Sequence, residues 1–294
     1  MTSICTFFIL VAVFAIGVLG QQNNYQNEIT KWRSERETNL KSENGWLTVA
    51  GLTWLKDGIN TIGTGSDFDV QLTENFKKGK FGEINFHNGA ATLKVEKGVE
   101  ALNDGKSISE IELVSDEKGK PTMIQTGSQT FYLIKREDRF GIRLKDKNSK
   151  ERINFKGLHW FPVDESYKVT AWFEAFDEPK KVLIPNVLGG NFKMKSPGVL
   201  KFKIKGKEYL LEPVVEEGSD NLFIIFRDLS SKTETYGAGR FLYAEKPVGG
   251  RVVLDFNRAE NPPCAFTSFA TCPLPPQQNR LDVEIKAGEK RYDH

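Results

Sequence analysis

Cysteine, histidine and methionine are scarce, three of each in 294 residues, which leaves little material for thiol or metal chemistry. His87, His159 and His294 stand far apart, and Cys264 and Cys272 form a Cys-x7-Cys spacing that zinc sites do not use, so neither metal nor cofactor is expected. The chain has no Gly-x-Ser-x-Gly elbow and no His-Glu-x-x-His helix, the local signatures of common hydrolases. Its net charge is only +2 and its lysines are scattered, so the electrostatic footprint of a nucleic-acid partner is missing. Asn-x-Ser/Thr is absent as well, and N-glycosylation with it. The one long apolar run, Phe7–Leu19, falls short of the roughly 20 residues that a membrane helix needs.

That run ends at Val18-Leu19-Gly20 and gives way to polar sequence, the pattern of a secretory signal over residues 1–20. An uncleaved signal anchor is the alternative, because only the terminal amine supplies positive charge before the run. Cleavage leaves a secreted, extracellular chain with no stable membrane span. It also removes Cys5 and leaves an even pair, Cys264 and Cys272, for which one disulfide is expected in an oxidising compartment, with two buried free thiols as the alternative. A loop that short would gain roughly 2–3 kcal/mol from the bridge. With 39% hydrophobic and 27% charged residues, the remainder is an ordinary globular composition, long enough for one large domain or two smaller ones.

Residues 21–45 are expected to hold the N-terminal helix, with Ile29, Trp32, Arg36 and Leu40 near helical spacing and Asn44-Gly45 as its stop. From Trp46 the period changes to two, in short runs such as GEINF, ATLKVE, TFYLIKR and FGIRLKD. Strands and helices do not alternate, which argues against a parallel α/β fold. The reading is a mainly β protein, an N-terminal helix followed by two packed antiparallel β units of sandwich or barrel type. The first unit spans 46–150 and the second 151–294, with the charged turn Asp146–Gly157 as the seam. In VLKFKIKG, Leu200, Phe202 and Ile204 share one face and Lys201, Lys203 and Lys205 the other. NLFIIF, from Asn221, is apolar throughout, as a strand buried on both faces would be.

Polar side chains concentrate in the last quarter. Tyr236 and Arg240 flank a Gly-Ala-Gly turn, and the alternation of Val252, Leu254 and Phe256 puts Asp255 and Asn257 together on the opposite face. Asn261 follows in a proline-stiffened loop. A pocket lined by Tyr236, Arg240, Asp255, Asn257 and Asn261, with His159 and Asn279 as further ligand-binding candidates, would suit a small polar molecule. The alternatives are a hydrolase, with Asp255 as general base and Arg240 and Tyr236 stabilising an oxyanion, and a structural module in which the Asx residues only satisfy loop backbone.

Two resemblances accompany this reading. Leu55–Leu72 resembles the start of a forkhead-associated phosphopeptide-binding sandwich, but Gly63 is followed by Thr64-Gly65-Ser66 and not by the arginine such modules need, so only a sandwich shape is implied. GWLTVAGLTWLKDGINTIG, DRFGIRLKD, FKGLHWFP, the Tyr236–Phe241 turn, DFNRAENPPCAF, CPLPPQQNRL and the terminal AGEK together resemble the domain-of-unknown-function family numbered 1684, found mainly in bacterial and archaeal proteins. Leu229 stands where a threonine is expected. The resemblance implies neither an activity nor site residues.

Overall fold

The computed structural model describes residues 4–76 and 79–293, and side chains from residue 23 onward. The expected signal segment and Cys5 therefore lie outside the described side chains. Helix α1 (Ile4–Lys41) opens the chain and ends just before a tight turn in which the Gly45 amide donates to the Ser42 carbonyl at 3.0 Å. Tyr25, Ile29 and Leu40 are buried along one stripe of it, with Trp32 and Arg36 half-buried between them. This is the helical spacing written in the sequence. Full burial of Ile29 and Leu40 stabilises the docking by about 1.5–3 kcal/mol each.

The remainder is built of strands. In the first half these are β1 (Val49–Trp54), β2 (Gly58–Thr64), β3 (Val70–Leu72), β4 (Lys80–His87), β5 (Ala90–Val95), β6 (Leu102–Asn103), β7 (Lys106–Ser107), β8 (Glu110–Glu112), β9 (Ile124–Thr126), β10 (Gln129–Arg136) and β11 (Arg139–Asp146). They form two sheets, ordered β1-β11-β10-β9-β6-β7 and β3-β2-β4-β5-β8. Pairing is antiparallel apart from β2 with β3. The sheets share one core, in which Phe81 and Phe131 meet edge to face at 5.4 Å.

In the second half, β12 (Lys168–Pro185), β13 (Asn191–Ile204), β14 (Lys207–Leu211), β15 (Val214–Val215), β16 (Leu222–Phe226), β17 (Arg240–Ala244) and β18 (Arg251–Asp255) make a third sheet, ordered β17-β16-β15-β13-β12-β18, with β14 paired to β13. The protein is thus mainly β, an N-terminal helix followed by packed antiparallel sheets. β16 is buried on both faces: Leu222, Ile224 and Phe226 enter one core, Phe223 and Ile225 another. Leu200, Phe202 and Ile204 of β13 are buried, while Lys203 and Lys205 are exposed and Lys201 pairs with Glu174 at 2.5 Å.

One expected strand is absent. Leu281, Val283 and Ile285 are buried as their alternation requires, but the segment joins no sheet. Its amides are taken elsewhere: Leu281 N–H donates to the Arg227 carbonyl at 2.7 Å, and Ile285 N–H to the Asp228 carboxylate at 2.6 Å. Gly239 and Gly288 hold the two sides of this junction in left-handed backbone, at φ +110 and +79, and a Cβ on either would meet a backbone carbonyl within 2.5 Å.

Candidate functional site

Arg240 opens β17 opposite Phe226 and is 1% exposed. Its Nη2 donates to Asp228 Oδ2 at 3.3 Å and to the Ile285 carbonyl at 2.9 Å, and its Nη1 donates to the Ala287 carbonyl. Burial pulls its pKa down and Asp228 opposes that pull. The guanidinium thus staples the C-terminal segment to the third sheet and presents no face to a ligand.

Asp255 and Asn257 do lie together, but they are sealed. β18 ends at Asp255, whose Oδ1 accepts the Asn257 amide at 3.1 Å in a 3-10 turn, and the Tyr25 hydroxyl of α1 donates to the same oxygen at 2.7 Å. Asn257 Nδ2 reaches that hydroxyl at 3.0 Å and the Asp164 carbonyl at 2.8 Å. Asn261 Nδ2 donates to the Lys290 carbonyl, Asn279 bridges Glu212 and Ile225 backbone, and the Tyr236 hydroxyl donates to the Cys264 carbonyl. His159 lies exposed on a loop. In these contacts the residues expected to line a pocket satisfy buried backbone and one another, and no hydrogen bond or ion pair joins Arg240 to Asp255 among the described residues.

The cysteines are brought together as free thiols, so the expected bridge is not formed in this structure. The Cys264 amide points at Cys272 Sγ, 3.1 Å away. The hydrogen bond from Cys272 holds the Cys264 thiol below its ordinary pKa, with Arg143 adding to the effect, while the same contact and burial push Cys272 up.

Beside them lies a cavity of about 1060 Å³ between the first and third sheets. Trp46, Phe192, Met194, Phe223, Phe241 and Tyr243 supply apolar wall, and Cys272 belongs to the lining. Arg143 enters from β11. Ile142 and Leu144 beside it point into the core shared by the first two sheets, so the pleat sends Arg143 the other way, toward the third sheet. It is 3% exposed, its Nη2 donates to Thr271 Oγ1 at 3.3 Å, and its Nε has no partner. No carboxylate lies within ion-pair distance of it among the described residues. Arg136, also on the cavity, donates to the same Thr271 hydroxyl at 3.1 Å but is neutralised by Asp116 at 2.8 Å.

Glu260 lines the cavity from the loop after β18, held in place by paired backbone hydrogen bonds with Phe241 at 2.9 Å. Arg36 of α1 stands between two carboxylates: its Nε lies 2.9 Å from Glu289 and 3.4 Å from Glu260. Burial pushes the Glu260 carboxyl up to about 7, against the pull of Arg36 and with the help of Glu289. Burial also raises Glu289 despite Arg36, and raises the Tyr243 hydroxyl, which Glu216 and Glu260 push further. The sequence reading named Tyr236, Arg240 and Asp255 of the C-terminal stretch; the cavity brings in others, Glu260 from that stretch and Arg143 from outside it. The signals for the others were present: an arginine between two core positions of a strand, and a glutamate one residue before Asn261-Pro262-Pro263.

Residues 153–290 match the family described as Protein of unknown function (DUF1684). The GWLTVAGLTWLKDGINTIG stretch, Arg143 and α1 lie outside that match. No curated protein matches the chain. Among solved structures, the chain is similar to the solution NMR structure of an uncharacterized protein of Haloarcula marismortui, 29% identical over 47% of this chain and 78% of that one, with a TM-score of 0.41.

Proposed function

We propose that the protein binds a small anionic molecule in the cavity between the first and third sheets, with Arg143 as the anchor. The observation that carries this reading is the buried guanidinium without a carboxylate. Removing such an ion from water without a counter-charge costs several kcal/mol, whereas Arg136 and Arg240 each have an acid beside them. A carboxylate or phosphate entering the cavity supplies the missing partner, and the guanidinium fork suits either. The ligand stays the small polar molecule expected from the sequence; the place moves from the C-terminal loops to the cavity they border.

Calorimetric titration with citrate and inorganic phosphate tests this. Arg143→Met is expected to weaken the binding anion by about 1.5–3 kcal/mol, roughly tenfold or more. Unchanged affinity in that variant overturns the reading.

Export is part of the same proposal. It is supported by the apolar run Phe7–Leu19 with its small-residue end, and by two cysteines already in contact. Intact mass of the mature protein from the medium of a secreting host is expected to begin at Gln21 and to lack both thiol hydrogens. A full-length, cell-retained, reduced chain would reject it.

A further inference from the structure

We propose that the cavity takes a zwitterion with an apolar body, a short peptide or amino-acid derivative, with its carboxylate on Arg143 and its ammonium on Glu260. The inference rests on the anion-binding reading above and adds the second pole. Arg143 leaves one positive charge without a partner on the side of the first sheet. On the opposite side one guanidinium serves two carboxylates. Glu289 holds Arg36 at 2.9 Å and also accepts the Asn261 amide at 2.8 Å, which leaves Glu260 the looser contact at 3.4 Å. When ionised, that trio carries one negative charge in excess at the cavity wall.

The two poles cannot cancel each other directly. Arg143 stands on β11 of the first sheet and Glu260 beside β17 of the third, and no ion pair joins them among the described residues. A molecule bearing both charges bridges them with no net change in the charge of the site. Trp46, Phe223 and Phe241 line the same space and would cover an apolar body. A simple anion would satisfy Arg143 but leave the one guanidinium of Arg36 shared between two carboxylates, with their excess negative charge unmet when Glu260 is ionised. Ionised Glu260 is the form that grips an ammonium, so binding near neutral pH is coupled to proton release.

The test uses the full mature chain and three probes: the dipeptide Phe-Phe, its N-acetyl form and its C-terminal amide, each titrated calorimetrically at pH 7.5. The dipeptide is expected to bind at least tenfold tighter than either blocked form. Glu260→Gln is expected to erase the preference for the free amine and keep that for the carboxylate; Arg143→Met should do the reverse. The wild-type comparison stands without the variants, should either fold poorly. Equal affinity for Phe-Phe and its N-acetyl form, or binding of citrate with none of the three probes, overturns the zwitterion while leaving the anion site in place. Citrate binding that survives Arg143→Met removes both readings.

Discussion

Arg240 and Arg143 are buried almost equally, 1% and 3% exposed, yet they serve opposite ends. Around Arg240 the protein supplies Asp228 and backbone carbonyls; around Arg143 it supplies one hydroxyl and an aromatic ring, Trp46, at 5.4 Å. Arg240→Met would leave Asp228 as an uncompensated buried charge, and is expected to destabilise by about 3–5 kcal/mol in a urea titration. Arg143→Met replaces a poorly compensated ion with apolar volume. Its ligand-free melting temperature should hold or rise while anion binding is lost, and a large fall would mean that the residue is structural. Sequence could not separate the two. Both are arginines on strands, and the difference lies in carbonyls 45 and 47 positions downstream that fold back onto one of them.

At the scale of elements, the strands were legible because period two is a local property. Leu200, Phe202 and Ile204 are buried where their alternation put them, and the unbroken NLFIIF run became β16, the strand between two cores. Leu281–Ile285 carried the same pattern without becoming a strand, because Asp228 and Arg227 take the amides that a neighbouring strand would need. The helix was equally legible, but its docking place was not. Tyr25 covers Asp255 and Asn257 from 230 and 232 positions away, which turns two exposed-looking polar residues into a sealed knot. Tyr25→Phe keeps the ring and removes the hydroxyl, and should cost about 1–3 kcal/mol by leaving buried polar atoms short of a partner. A thermal melt that does not move would show that water replaces the hydroxyl.

At the scale of the molecule, Arg36, Glu260 and Glu289 join helix, loop and C-terminal segment, and make stability depend on pH. In the unfolded chain Glu260 loses its proton near the ordinary glutamate value, whereas in the folded protein it keeps it up to about 7. Between those values the folded state binds more protons, so stability falls as pH rises, on the order of 3 kcal/mol across the window. Glu289 is raised too and adds to the same slope. Urea midpoints measured from pH 4.5 to 8 should decline, and Glu260→Gln should flatten much of the decline; a rising profile in the wild type would contradict the assignment.

The junction between Arg36 and Glu289 spans 253 positions of sequence. A chain emerging from the ribosome in order makes the helix first and its docking partners last. Until residues 255–289 have been synthesised, the Tyr25 hydroxyl and the Arg36 guanidinium lack the carboxylates that hold them in the finished fold. The third sheet likewise lacks the segment that Arg240 ties down. Completion of these long-range contacts is therefore deferred to the end of translation, and until then the early helix is open to non-native contacts.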